Sequence, residues 1–370
     1  MSIAKYIEQT RTVNENLLRF LEKIEEEEGS HDINIFKELK TRDNPHEIRL
    51  FLRILLQIYN NHGGNSNLFN KVEQILKFFK DKIQQFYSNS EIFDIFASNK
   101  RILLFLIKEK MMIFDEYIFN KITTNNKYID AKYPQYFVNE IKPFMNSAFL
   151  LQKNKLIEEL KNDLPENHEI NRENGVNEYY ICKLIRLDLV EDFIVYVNKT
   201  NYPLKSIIMP SIYETNPFLI KKQKEITLIK YAAFYGSIQI FQYLILNGVC
   251  MDSSLWPYVI HSNNQELFSI LENEKFGDSN LNLFLNCFDE SIKCHHNSIA
   301  NYIKENWLNE SKRQSLFFFK YYNFEFIELI DISMIEFCFL CKYNYYDLVK
   351  LLLKDGNLNV NQKIIFKSFN

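Results

Sequence analysis

The sequence predicts an all-α chain. A helical N-terminal region over residues 1–174 is followed by an α-solenoid of degenerate helix-turn-helix repeats over residues 175–366. Three observations carry this expectation. Glycine and proline number only 8 each in 370 residues, too few turn formers for a barrel or sandwich. Apolar residues fall on stripes of helical period in segment after segment. A helix-turn-helix frame recurs through the second half of the chain. At 46% hydrophobic and 25% charged, the chain has the composition of a folded protein. Its net charge of -3 gives no electrostatic reason to expect a nucleic-acid partner.

The N-terminal segment MSIAKYIEQTRTVNENLL lacks an uninterrupted apolar core, so no secretory signal is expected. The most apolar stretches, RILLFLIKEKMMIF and SLFFFKYYNFEFIELI, are broken by charges too early for a membrane span. The six cysteines then read as reduced thiols, and the expected location is cytoplasmic. The acidic run Glu25 to Glu28 reads as a solvated loop. In NPHEIRLFLRILLQIYNNHGG, Asn44 is expected to cap a helix that begins at Pro45, with Glu47 three residues after the cap and Gly63 as the stop. Its buried face is Ile48, Leu52, Leu55 and Tyr59. The next stripe, Leu68, Val72, Ile75, Phe79, Ile83 and Phe86, predicts one further helix.

The repeat frame is clearest in TLIKYAAFYGSIQIFQYLILNGV, residues 227–249. Thr227 opens it, Ala232 and Ala233 keep the first helix thin, and Gly236 makes the turn. Ile240, Phe241, Tyr243 and Leu244 form the inner face of the second helix, and Gly248 follows. The frame returns with Asn263 at the turn and Leu267, Phe268, Ile270 and Leu271 inside. It returns again with Ile299, Ala300, Tyr302 and Ile303, then with Phe326, Ile327, Leu329 and Ile330. The last copy has Asn344 at the turn and Leu348, Val349, Leu351 and Leu352 inside, with Gly356 after it. From Ile240 through Leu267, Ile299, Phe326 and Leu348, the steps are 27, 32, 27 and 22 residues. Weaker copies precede these, with Leu187, Val190, Phe193 and Ile194 inward. The frame reaches back to about residue 90, where Asn99 is the turn before Leu103, Leu104, Leu106 and Ile107.

These segments resemble ankyrin repeats, whose unit is a turn and two antiparallel helices. Most copies lack the T-P-L-H start and its glycines, so the resemblance extends to stacked helix pairs rather than to long β-hairpin fingers. The runs SNSEIFDIFASNKRILLFLI, SLWPYVIHSNN and CHHNSIANYI further resemble the divergent ankyrin-repeat proteins greatly expanded in some protists. Those carry a helical N-terminal domain of unknown function. The resemblance runs from about residue 45 to the end, and implies an intracellular binding scaffold with no known catalytic residue.

Candidate chemistry is sparse. Cys338 and Cys341 form a C-x-x-C, and Cys294, His295 and His296 are contiguous, with Cys287 upstream. Both groups lie in apolar helical runs, where cysteine packs as a small hydrophobe. His261, His295 and His296 lie near inter-helix turns, where they can bond backbone groups. No phosphate-loop, dinucleotide, serine-hydrolase or zinc-hydrolase motif occurs. Lys221, Lys222 and Lys224 are offset by acids and read as loop. No catalytic residue, metal or cofactor is therefore assigned, and the alternative is a zinc-dependent or enzyme-associated module built on the Cys/His cluster.

In a solenoid, the ends of the first helices face a concave surface. The residues at that register are Phe234, Tyr235, His261, Ser262, Lys320, Tyr321, Lys342 and Tyr343. Aromatic anchors with interspersed lysines suit a protein interface. The expected function is a non-catalytic scaffold or adaptor binding a protein partner there. The aromatic content also allows self-association, and neither nucleic acid nor membrane is expected as a partner.

Overall fold

A computed structural model describes residues 2–22, 33–63, 67–124, 132–144, 165–222, 225–274, 281–308, 316–327 and 334–355. Glu25 to Glu28, Lys224, Leu329, Ile330 and Gly356 lie outside these. The described residues are helical apart from turns and one isolated antiparallel bridge, Ile207 to Thr227. None of these helices is long and apolar enough to cross a membrane.

The chain divides into two compact units. One comprises Met1–His62, Ser66–Phe79 and Lys275–Asn370, and the other Gly63–Asn65 and Lys80–Glu274. The expected border at residue 174 is not where the units part, because each combines helices from both halves of the chain. In the first unit, Phe20, Phe36, Phe51 and Phe79 form a run of ring contacts with centroids 5.8, 5.1 and 5.1 Å apart. Helix Pro45–Asn61 begins as expected, with the Asn44 side chain accepting from the His46 N–H at 3.0 Å. It is buried more widely than one stripe, since Leu50, Phe51, Ile54 and Ile58 join Ile48, Leu52 and Leu55 in the core. The following helix is not continuous. It runs Leu68–Phe78, and a second starts at Lys80, so Phe79 sits at a break that its place in the stripe concealed.

Among the described residues, three helix pairs of the second unit and three of the first share one kind of turn. Each pair turns on one residue in the left-handed conformation: Asp188, Gly236 and Asn263, then His295, Tyr322 and Asn344. From Gly236 onward these are separated by 27, 32, 27 and 22 residues, the steps expected from the inner faces. Five of the six close in the same way. The residue after the left-handed one donates its N–H to a carbonyl five residues back, as Leu189 does to Leu184, Ser237 to Ala232 and Tyr345 to Leu340, at 2.9–3.0 Å. A bulky side chain pays most for this backbone. Tyr322 offsets that cost with its hydroxyl, which accepts from Arg53 Nη1 at 3.0 Å and donates to the Tyr343 carbonyl at 3.1 Å.

A second set of bonds joins successive pairs through the residue just after the turn. In the second unit, Ser237 Oγ donates to the Ile185 carbonyl at 2.5 Å, and Asn264 Nδ2 to the Gly236 carbonyl at 3.4 Å. In the first, Asn323 Nδ2 donates to the Ile292 carbonyl at 3.1 Å, and the Tyr345 hydroxyl to the Phe319 carbonyl at 2.8 Å. Each bond reaches a carbonyl at the turn of the preceding pair; those of Ile185, Ile292 and Phe319 also accept the N–H of the left-handed residue three positions on. Asp188 works in the other direction, its two oxygens accepting from the Gln239 and Ile240 N–H groups at 3.0 Å each. It thereby caps the second helix of the neighbouring pair.

The described inner residues are buried or half-buried as expected, with two corrections. Leu187 and Tyr302 are exposed, because Leu187 belongs to the turn and Tyr302 lies on the outer side of its helix. Val197 takes the inward place beside Phe193. Gly63 is not needed for a left-handed stop. Its N–H donates to the His261 carbonyl at 2.9 Å, and a Cβ there would stand 2.4 Å from the Phe234 carbonyl oxygen. The glycine is required by that close approach.

Candidate partner-binding surface

The eight expected contact residues occupy one register, the two positions before each left-handed residue. Their surroundings differ between the units. In the second unit Phe234 and His261 are buried, at 1% and 0% exposure, and so are not presented to a partner. The reason is Phe218, which lies outside the repeat frame. Its ring stacks on Phe234 at 5.8 Å and 8°, and lies 4.1 Å from His261 and 5.0 Å from Tyr258. Tyr235 is half-buried against Tyr231 at 4.8 Å, and burial pushes its hydroxyl pKa up. Ser262 is engaged in its own turn, with Oγ donating to the Val259 carbonyl at 2.8 Å.

In the first unit the same register is open. Lys320 and Lys342 are exposed, while Tyr321 and Tyr343 are half-buried. The two copies share the pattern F-x-x-K-Y: Phe317, Lys320 and Tyr321, then Phe339, Lys342 and Tyr343. The Lys320 ammonium lies 5.8 Å from the Phe317 ring centroid and 4.8 Å from that of Tyr321. Lys342 repeats this at 5.5 Å from both Phe339 and Tyr343. One helical turn separates Phe from Lys, so the stem of the lysine lies along the ring and its head reaches solvent. The rings themselves approach at 6.4 Å in the first copy and 5.8 Å in the second. Backbone contacts fix both motifs from behind. His295 Nε2 bonds the Tyr321 carbonyl at 2.8 Å, and Arg53 Nη1 the Tyr343 carbonyl at 3.2 Å.

Burial lowers the His295 pKa to about 3, so this imidazole is neutral and Nε2 carries the proton that the Tyr321 carbonyl accepts. It is held in the turn, the role expected for the histidines of these repeats. The thiols of Cys287 and Cys294 are buried, the first pushed up to about 12 and the second also raised. Metal-binding thiolates need the opposite environment. Cys338 is half-buried and Cys341 exposed on helix Met334–Lys342, and all six cysteines are free thiols. Within the first unit, one grouping among the described residues brings two imidazoles and a carboxylate together: Glu22, His62 and His296. Neither Glu22 nor His62 stands near His296 in sequence, so spacing gave no sign of it.

Compared with known proteins, the chain matches no family model, no curated protein and no solved structure.

Proposed function

We propose that this chain is a non-catalytic, cytoplasmic scaffold, a solenoid of ankyrin-like helix pairs, which binds a protein partner through the paired F-x-x-K-Y motifs. The observation that carries the proposal is the repetition. Two consecutive pairs set an exposed lysine over two half-buried rings at the same register. An ammonium held in this way gives up little rotamer freedom on binding, and the rings beside it supply apolar area. Such a surface suits a partner whose own face is acidic. The contact set narrows from eight residues to Lys320, Tyr321, Lys342 and Tyr343, since Phe234 and His261 are enclosed, Tyr235 packs on Tyr231 and the Ser262 hydroxyl is engaged in its own turn.

The test is capture from native lysate by the full chain and by the K320E/K342E double variant. Both side chains are exposed, so charge reversal leaves the core intact. Each substitution replaces attraction by repulsion, and binding is expected to fall by about tenfold or more. Undiminished capture of the same protein by a folded variant rejects this surface.

A further inference from the structure

Three side chains distant in sequence meet within the first unit. Glu22 ends helix Ile3–Glu22, His62 caps the C-terminus of Pro45–Asn61, and His296 precedes helix Asn297–Asn306. One ring nitrogen of each histidine and a carboxylate oxygen of Glu22 all lie within 4.8 Å of one another. The two imidazoles stand 4.5 Å apart, centroid to centroid, at 39°. His296 is buried, His62 half-buried and Glu22 exposed, so the group reaches from the interior to the surface.

We propose that Glu22, His62 and His296 form a site for a zinc-class divalent cation, with a fourth position open to solvent. Two imidazoles and one carboxylate are a donor set that zinc accepts, whereas calcium and magnesium favour oxygen alone. Bonds of about 2.0–2.2 Å place tetrahedral ligand atoms about 3.3 Å apart, so the present spacing must contract by up to about 1.5 Å. Glu22 has the freedom to supply that travel, because it is exposed and stands at the last turn of its helix.

A second observation points the same way. His62 Nε2 lies 2.7 Å from the Cys294 carbonyl oxygen. A carbonyl only accepts, so in the neutral ring Nε2 holds the proton and Nδ1 is the nitrogen able to act as a ligand. Metal-binding imidazoles are oriented in this manner, through their other N–H on a backbone carbonyl. Cys294 stands two residues before His296, so one segment supplies a ligand and orients another. An ion here ties the ends of the two N-terminal helices to the Cys294–His296 turn. Its role is that of a staple within the unit.

The test uses the untagged full chain, stripped with a chelator, titrated with Co2+ and then competed with Zn2+. One equivalent is expected, with visible d–d absorption that zinc abolishes. Glu22→Gln and His62→Gln should each weaken binding by about tenfold or more while leaving the far-ultraviolet circular dichroism unchanged. His296 is buried, so its variants test folding as well as binding, and the decision rests on the other two. The proposal is overturned if the folded chain takes up no metal, or if either variant takes it up as tightly as the parent. Uptake lost only on joint Cys338→Ser and Cys341→Ser substitution also overturns it.

Discussion

Asp188 is the most informative single position for the way successive pairs are joined. Its carboxylate accepts from the Gln239 and Ile240 N–H groups, both at 3.0 Å, while its own backbone is left-handed at φ 49. Asp188→Gly removes the cap and relieves the backbone, so the loss is that of a helix cap, about 1 kcal/mol. Asp188→Ala removes the cap and places an uncompensated Cβ in the left-handed region, which adds about 1 kcal/mol. Asp188→Asn keeps an acceptor oxygen and a residue tolerant of that backbone, and should cost least. Native-state hydrogen exchange reads the effect where it arises. Protection at Gln239 and Ile240 is expected to fall about fivefold in the glycine variant and about thirtyfold in the alanine variant, at roughly tenfold per 1.4 kcal/mol. Unchanged protection at these two amides in the glycine variant would refute the capping role. Equal losses in glycine and alanine would refute the backbone contribution.

Two further outcomes follow from the second unit. Phe234→Ala should destabilise by about 3–5 kcal/mol, since the ring is fully enclosed by Phe218, Tyr235 and His261; urea denaturation followed through this unit checks it. Glu214 is buried, and burial raises its carboxyl pKa, against the lowering effects of the Asn216 N–H and the Arg186 guanidinium. The folded state therefore holds the proton more tightly than the unfolded state. Its contribution is fully present below the usual carboxylate range and is lost as pH rises through the raised value, by at most about 1.4 kcal/mol per pH unit. Glu214→Gln should flatten that decline, and an identical pH–stability profile for the variant and the parent would contradict it.

What could be read from sequence was what is local. Asn44 caps its helix because the cap needs only its own side chain and the N–H two residues on. Gly236, Asn263 and Asn344 announce their turns because glycine and asparagine tolerate the left-handed backbone. The same logic missed Tyr322 and His295, which occupy equivalent positions and are compensated by bonds to segments remote in sequence. The register of the expected contact residues was legible, but not which of them stay open. Phe218 covers Phe234 and His261 from outside the frame, and no periodicity within the repeats encodes that. The division into units was hidden as well, because the break at Phe79 interrupts a stripe whose apolar spacing continues through Ile83.

The bonds between pairs have a consequence for how such a chain can change over time. Serine, asparagine and tyrosine serve at the residue after the turn, and each reaches a main-chain oxygen of the preceding pair. The acceptor is backbone, present whatever residue stands there, so the donor can be exchanged for any side chain of suitable reach without a matching change opposite. Lineages that replace these donors one at a time would diverge in letters while keeping their architecture. Relatives of this chain should then be sought by the order of left-handed turns and the intervals between them.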